Sequence, residues 1–130
     1  KEYGNEGMPI IGNGDVLSVT HARELAEKSD CDGVMLGRAI FGNPWLFDEK
    51  KNKEEIELSE KFRVMVEHTK LFEKKLGDIK SFAIMKKHYK AYVNGFEGAK
   101  ELRVKLMEKE NTAEIEEEIK LFLNTKNSVQ

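Results

Sequence analysis

The first part of the chain contains two short apolar runs separated by a helical pattern. Residues 8–12 and 33–36 are almost entirely apolar or small, which is typical of strands buried on both faces of a parallel sheet. Between them, Ala22 and Leu25 have the three-residue spacing of one helix face, and Ser18 stands where an N-cap is expected. The pattern therefore predicts a strand, a helix and a second strand.

A short helix is expected after the second strand. Asn43 can cap its first turn, and Pro44 suits the first helical position because a proline there loses no hydrogen bond. Strand, helix, strand and short helix make two βα units. Two parallel strands cannot cover both of their own faces, so this α/β part requires further strands from elsewhere.

The pattern becomes helical throughout after the second βα unit. Residues 48–58 form a charged connector, and Ser59 opens the first of four helical segments. Each segment has one apolar face, and together these faces contain Phe62, Met65, Val66, Phe72, Leu76, Ile79, Phe82, Ala83, Tyr89, Ala99, Leu102, Leu106, Ile115, Ile119, Phe122 and Leu123. Four antiparallel helices with short connections predict a small four-helix bundle.

Local signals mark where these helices begin and end. Gly77 is expected to stop the first helix, and Asn94 with Gly95 the second. Asn111 followed three residues later by Glu114 predicts a capping box at the start of the last helix.

Composition limits the class of protein. The 130 residues are 39% hydrophobic and 35% charged, which is an ordinary globular balance. No apolar run approaches the roughly 20 residues of a membrane span, and residues 1–6 lack the apolar core of an export signal. The single cysteine, Cys31, excludes an internal disulfide and fits a reducing compartment. We therefore expect a cytoplasmic protein with no membrane contact.

The charge is unevenly distributed. The whole chain has a net charge of −2, but residues 80–109 contain eight lysines and arginines against three glutamates. Such an excess predicts that part of the surface is basic. As an RNA contact this surface would grip phosphates, although a merely solvated face is the alternative. The residues predicted to bind RNA are Lys86, Lys87, His88, Lys90, Arg103 and Lys105.

The two predicted strands are each followed by a turn suited to an anion. Asn13, Gly14 and Asp15 follow the first strand, and Gly37 and Arg38 follow the second. If the strands are parallel neighbours, both turns lie at the same edge of the sheet, where ligands bind in α/β proteins. Backbone N–H groups and a guanidinium there predict a phosphate site. The alternative is that Asn13, Gly14 and Asp15 form only a turn and that Arg38 forms a surface ion pair.

Neither the histidines nor the cysteine forms an evident catalytic or metal motif. His21, His68 and His88 show no close pair with a carboxylate, so no metal site is predicted. Cys31 lies before the second strand, at the end remote from the phosphate turns, and is expected to be a small, partly buried side chain.

Several motifs resemble those of one enzyme family. Residues 9–49 contain NGD, then GVM-x-GR, then G-NPW-F, and residues 86–103 read KKHYKAYVNGFEGAKELR. Both stretches are similar to the carboxyl-terminal part of the tRNA-dihydrouridine synthases. The resemblance covers residues 9–106. It implies that residues 1–47 end a TIM barrel and that residues 59–130 form a helical tRNA-binding domain.

The resemblance also implies a chemistry. Members of this family reduce uridine in tRNA to dihydrouridine with FMN, which NADPH reloads. By this likeness Asn13, Gly14, Asp15, Gly37 and Arg38 would hold the FMN phosphate, while the flavin carries the redox chemistry. The uracil would have to leave its stack to reach the flavin.

The chain departs from the family pattern in one respect. The family's proton-donating cysteine lies in an Asn-x-Gly-Cys-Pro loop, and this sequence contains no such loop. No catalytic residue is therefore predicted here, and Cys31 does not replace the missing one. The chain resembles the carboxyl-terminal third of the enzyme, so we expect it to be inactive alone. Its expected partners are the amino-terminal part of the barrel, or a second copy of the chain, and tRNA.

Two alternatives remain open. Another FMN-dependent TIM-barrel oxidoreductase would also place a phosphate site after its last strands. A stand-alone RNA-binding or interaction module would keep the helices and make no use of flavin, but such a module has no need of an anion site at Gly37 and Arg38.

Overall fold

The computed structural model describes residues 7–127 and divides the chain into two compact units, Lys1–Glu55 and Ile56–Gln130. The division falls inside the predicted connector. The strands and α-helices, in chain order, are β1 (Ile11–Asn13), α1 (Val19–Ser29), β2 (Gly33–Met35), α2 (Leu58–Leu76), α3 (Ala83–Tyr92), α4 (Ala99–Glu108) and α5 (Thr112–Asn127). The expected absence of an export signal concerns residues 1–6, which lie outside the described residues.

In the first unit β1 and β2 pair in parallel, with α1 connecting them. The register aligns Ile11 with Gly33 and Asn13 with Met35. The predicted cap is confirmed, because the Ser18 side chain accepts a hydrogen bond from the backbone N–H of His21 at 3.1 Å. A strand, a helix and a parallel strand are thus present as predicted, and whether they complete a TIM barrel stays a prediction.

The expectation of strands buried on both faces is wrong for the described residues. Ile11 is 58% exposed and Met35 is 49% exposed. The reason is the one that the sequence itself indicates: a sheet of two strands lacks the neighbouring elements that would cover its apolar side chains.

The short helix predicted at Pro44 is also wrong. The chain after β2 forms a 3₁₀ turn at Arg38–Ile40 and then a series of turns. Asn43 contributes its backbone carbonyl to the N–H of Leu46, while its side-chain oxygen is buried without a hydrogen-bond partner in the described part of the chain. Trp45 is buried, at 9% exposure. Its ring is therefore packed, although the chain around it forms turns and not a helix.

The second unit is built on one hydrophobic core shared by α2, α3, α4 and α5. Helix α2 contacts α3 and α5, and α4 contacts α3 and α5. The buried residues of this core are Phe62, Met65, Val66, Phe72, Met85, Tyr89, Tyr92, Val93, Ala99, Leu102, Leu106, Ile115 and Ile119. The helices share a core as expected, and their arrangement as a four-helix bundle stays a prediction.

The predicted apolar face of the second helical segment needs correction. Ile79 is 72% exposed and Ala83 is exposed, whereas Met85 and Tyr92 are buried. Because α3 begins only at Ala83, helical spacing counted from Ile79 identifies the wrong face. Leu76, at the last position of α2, is also exposed, at 39%.

The predicted Asn111 cap of α5 is confirmed, but the reciprocal bond of Glu114 goes to the N–H of Glu110 and not to that of Asn111. The Asn111 side chain accepts from the N–H of Glu114 at 3.0 Å, and the Glu114 carboxylate accepts from the N–H of Glu110 at 2.9 Å.

None of the helices in residues 7–127 combines the length and apolar character needed to cross a membrane.

Candidate anion site and basic groove

The loops that follow β1 and β2 meet at one edge of the sheet. Parallel pairing of Asn13 with Met35 ends both strands at the same level. The loops line an open cleft of about 640 Å³. All five residues predicted for the phosphate site line it, namely Asn13, Gly14, Asp15, Gly37 and Arg38.

Arg38 and Asp15 form an ion pair across this cleft. An Nη2 hydrogen of Arg38 is donated to Oδ1 of Asp15, and the two side chains are 80% and 76% exposed. The Asp15 carboxylate is thus engaged by a cation, and the role of Asp15 in holding a phosphate stays a prediction. The guanidinium has further N–H donors besides the one that is hydrogen-bonded to Asp15.

Backbone and side-chain hydrogen bonds hold the first loop in place. Val16 is 4% exposed, and its N–H donates to the carbonyl of Gly14 at 2.8 Å. The N–H of Leu17 donates to Nδ1 of His21 at 3.2 Å. His21 therefore supports the loop that carries Asp15. Sequence reasoning missed this role, although the position of His21 three residues after the Ser18 cap was a usable signal.

The two glycines leave the backbone of the cleft accessible. A Cβ added to Gly14 or Gly37 would meet no atom of the described residues within 4 Å. Neither glycine has a positive φ. The packing of the chain therefore does not require glycine at these positions. A different reason for glycine is that it lets a ligand approach the backbone closely.

Cys31 does not line the cleft that contains Arg38, but it lines a neighbouring pocket of about 370 Å³ together with Asn13, Gly14 and Asp15. It is partly buried, as predicted, and its thiol donates to the carbonyl of Gly33 at 3.3 Å. Within residues 7–127 no group of three or more His, Cys, Asp or Glu side chains is arranged to hold a metal ion.

A second candidate region is a groove between α3 and α4 of the helical unit. Its volume is about 700 Å³, and its lining surface is mainly apolar. Val104 and Met107 contribute to this apolar lining, and they are 57% and 52% exposed. The charged residues along the groove are Lys86, Lys87, Lys90, Lys100, Arg103 and Glu108. We call this surface the α3–α4 groove.

The structure separates the predicted RNA-binding residues into free and engaged cations. Lys87 and Lys90 are exposed, and their ammonium groups have no ion-pair partner among residues 7–127. Lys100 shares these properties and was missed by sequence reasoning, because only the packing of α4 beside α3 brings it to the same groove.

The other predicted cations are held by neighbouring groups. Lys86 is 9% exposed overall, and Arg103 donates to the carbonyl of Val93 at 2.7 Å. Lys105 lies 3.0 Å from the buried carboxylate of Glu118. Burial opposes the ionisation of Glu118, but hydrogen bonding and charge from Lys105 and Lys109 outweigh it and lower its pKa. These lysines and this arginine are thus occupied in folding contacts.

His88 is not a free cation either. Its ring lies 5.1 Å from that of His68, measured between centroids, and Nδ1 of His68 is 3.2 Å from the hydroxyl of Tyr92. Burial lowers the pKa of both histidines, and for His68 the charge of His88 lowers it further. The two histidine rings lie close together because α2 packs against α3, which the sequence spacing did not indicate.

Comparison with known proteins agrees with the motifs. The model of the dihydrouridine synthase family matches residues 3–128. The chain is 34% identical over 110 residues to a probable tRNA-dihydrouridine synthase of Aquifex aeolicus. It is 40% identical over 104 residues to one of Staphylococcus aureus strain Mu50, and 38% identical over 111 residues to one of Staphylococcus epidermidis. The chain therefore belongs to the dihydrouridine synthase family.

These matches cover most of the chain but only part of each relative. They include 83%, 78% and 85% of the chain, against 35%, 31% and 33% of the three relatives. The chain thus spans about a third of the length of the curated relatives it matches.

Proposed function

We propose that this protein is a tRNA-dihydrouridine synthase whose two units hold the FMN phosphate and contact tRNA. Family membership and the names of the relatives support the reaction class. The observation that carries the proposal for this chain is the meeting of the loops after β1 and β2, which brings Arg38 and the open backbone of Gly14 to one cleft.

The cleft fits a phosphate by the chemistry of its groups. Arg38 can donate two charge-assisted hydrogen bonds to one phosphate. Gly14 and Gly37 allow the phosphate oxygens to approach the main chain, because no Cβ stands in the way. When bound and reduced by NADPH, FMN would supply the hydride that, together with a proton from an acid, saturates the uracil C5=C6 bond.

This chain supplies binding rather than proton transfer. The described residues around the cleft include no acid that the family pattern assigns to protonating uracil, and Cys31 is engaged with the Gly33 carbonyl. We assign proton donation to a residue outside this chain, in agreement with the missing Asn-x-Gly-Cys-Pro motif.

The α3–α4 groove is the proposed RNA contact. Lys87, Lys90 and Lys100 are exposed and unpaired there among residues 7–127. Free ammonium groups attract the phosphate backbone and position the RNA without reading its bases. Family membership favours this function over a different FMN oxidoreductase, and the anion cleft favours it over an RNA-binding module without flavin.

The proposal is tested by flavin binding to the full-length protein. Arg38→Ala should weaken FMN binding about ten-fold or more, because the guanidinium no longer donates charge-assisted hydrogen bonds to the phosphate. Arg23→Ala is the matched control: Arg23 is also exposed and ion-paired, but its partner is Glu49, outside the cleft. Equal FMN dissociation constants for the Arg38 variant, the control and the parent would refute the phosphate site.

A further inference from the structure

The acidic residue of the cleft requires a role of its own. Among the described residues that line the cleft, two have charged side chains, Asp15 and Arg38. A carboxylate within reach of a phosphate adds like-charge repulsion, which disfavours the bound anion. Its presence is therefore unexplained if every residue of the cleft is a direct ligand.

The geometry shows what the Asp15 carboxylate contacts instead. It accepts a hydrogen bond from Nη2 of Arg38 and has no other hydrogen-bond or ion-pair partner in the described part of the chain. The Arg38 side chain is 80% exposed, so packing does little to select one of its many rotamers. The pairing with Asp15 selects a conformation in which the remaining guanidinium N–H groups are available to an anion.

The backbone next to Asp15 is held in position. The carbonyl of Gly14 accepts from the N–H of Val16, and His21 accepts from the N–H of Leu17. These bonds fix the backbone on the carboxyl-terminal side of Asp15. A carboxylate on a short side chain and a held backbone has less conformational freedom than the long side chain of arginine, so the pair restricts the guanidinium more than the carboxylate.

We propose that Asp15 is a positioning residue that orients Arg38 for the FMN phosphate and does not bind the phosphate through its own side chain. This inference rests on the proposed function, because it presupposes that Arg38 grips FMN. The opposite role is that of an aspartate that competes with phosphate for the guanidinium. The two roles predict opposite signs when the carboxylate is removed.

The experiment compares FMN with riboflavin, which has the same ring but no phosphate. Dissociation constants are measured by flavin fluorescence for the full-length protein and its Asp15→Ala, Asp15→Glu, Arg38→Ala and Asp15→Ala/Arg38→Ala variants. Asp15→Ala should weaken FMN binding about two- to five-fold, as for removal of an exposed ion pair, and leave riboflavin unchanged. Asp15→Glu should restore part of the FMN affinity.

The double variant tests whether Asp15 acts through Arg38. It should bind FMN no more weakly than Arg38→Ala alone, because without the guanidinium there is nothing left to orient. Unchanged circular dichroism for each variant establishes that the proteins are folded.

Each contrary result has a distinct meaning. Tighter FMN binding by Asp15→Ala would make Asp15 a competitor and overturn the inference. Equal weakening of FMN and riboflavin would make it a general support of the loop, which also overturns it. If Arg38→Ala weakens FMN binding but Asp15→Ala does not, the inference alone fails. If Arg38→Ala has no effect on FMN binding, both the inference and the proposed phosphate site fail.

Discussion

Lys86 donates through Nζ to Oε1 of Glu110 at 2.6 Å, and its side chain is only 11% exposed. This bond links α3 to Glu110, whose backbone N–H donates to the Glu114 carboxylate in the first turn of α5. The neighbouring Lys87 is exposed and lines the same groove. Two consecutive lysines thus have different tasks, one in folding and one at the surface.

Exchange of Lys86 should therefore affect stability. Lys86→Ala should lower the free energy of unfolding by about 1 kcal/mol, because it removes the packed aliphatic stem and a partly exposed ion pair. Lys87→Ala is the matched control and should change it by less than about 0.5 kcal/mol. Urea unfolding followed by circular dichroism measures both. Similar values for the two variants would contradict the assignment of Lys86 to folding.

RNA binding should depend on the free cations of the α3–α4 groove. The triple variant of Lys87, Lys90 and Lys100 to Ala should weaken tRNA binding by the full-length protein. It should also reduce the slope of log K against log salt by roughly 0.7 to 0.9 for each RNA phosphate that a lysine no longer neutralises. Filter binding or anisotropy over a range of salt concentrations provides the slope.

The control for this experiment changes the same number of charges elsewhere. Lys74, Lys75 and Lys80 are exposed and do not line the groove. Their replacement by alanine should leave the salt slope much closer to that of the parent. If the slope falls equally in both triple variants, binding follows net charge and the groove has no special part in it.

Acid should destabilise the helical unit through His68 and His88. Both have a folded pKa below the ordinary value of 6.5, so the folded state binds fewer protons than the unfolded state. Their contribution is full above about pH 6.5 and is lost as the pH falls through that value toward the lowered pKa values. The free energy of unfolding should therefore fall on acidification within this window.

The histidine contribution is isolated by comparison with a variant. His68→Gln/His88→Gln removes both titrating groups, and its unfolding free energy should depend less on pH between about 7 and about 5 than that of the parent, with both sets of values measured by urea unfolding. An equally steep fall in the double variant would place the acid sensitivity in other residues.

Glycine substitutions should separate folding from flavin binding. Gly14→Ala and Gly37→Ala should leave thermal stability nearly unchanged, since the added Cβ meets no atom of the described chain within 4 Å. Both should weaken FMN binding if the phosphate approaches the main chain there. Gly98→Ala is the contrasting variant, because Gly98 has φ +83° and a Cβ would lie 3.2 Å from the Phe122 ring.

The contrast has a measurable size. Gly98→Ala should cost about 1 kcal/mol or more of stability, because alanine is strained at positive φ, and should leave flavin binding unaltered in the protein that remains folded. Thermal unfolding and flavin titration of the three variants check these outcomes. Strong destabilisation by Gly14→Ala would contradict the open cleft.

Sequence reasoning succeeded where a signal is local. Ser18 and Asn111 act as the predicted caps because capping depends on residues within one helical turn. The order of β1, α1 and β2 also followed from short apolar runs and spacing. Proximity of Arg38 to Asp15 could be expected once parallel pairing was assumed, but the ion pair between them needed side-chain coordinates.

Sequence reasoning failed where the environment of a residue depends on parts of the chain that are distant in sequence. The burial of Lys86 depends on Glu110, and the pairing of His68 with His88 depends on how α2 packs against α3. Pro44 suggested a helix, but turns and a buried Trp45 are found instead. Local propensity is a weak guide when tertiary packing supplies most of the free energy.

The outward-facing side chains of β1 and β2 also bear on how this stretch behaves in concentrated solution. Ile11 and Met35 present apolar surface on neighbouring strands of a two-stranded sheet, and a sheet edge with apolar side chains is a template for pairing between molecules. Colloidal stability, rather than the melting of the helices, should limit the handling of the isolated 130-residue chain. Ile11→Lys or Met35→Lys should reduce this association, because charge on an edge strand opposes it.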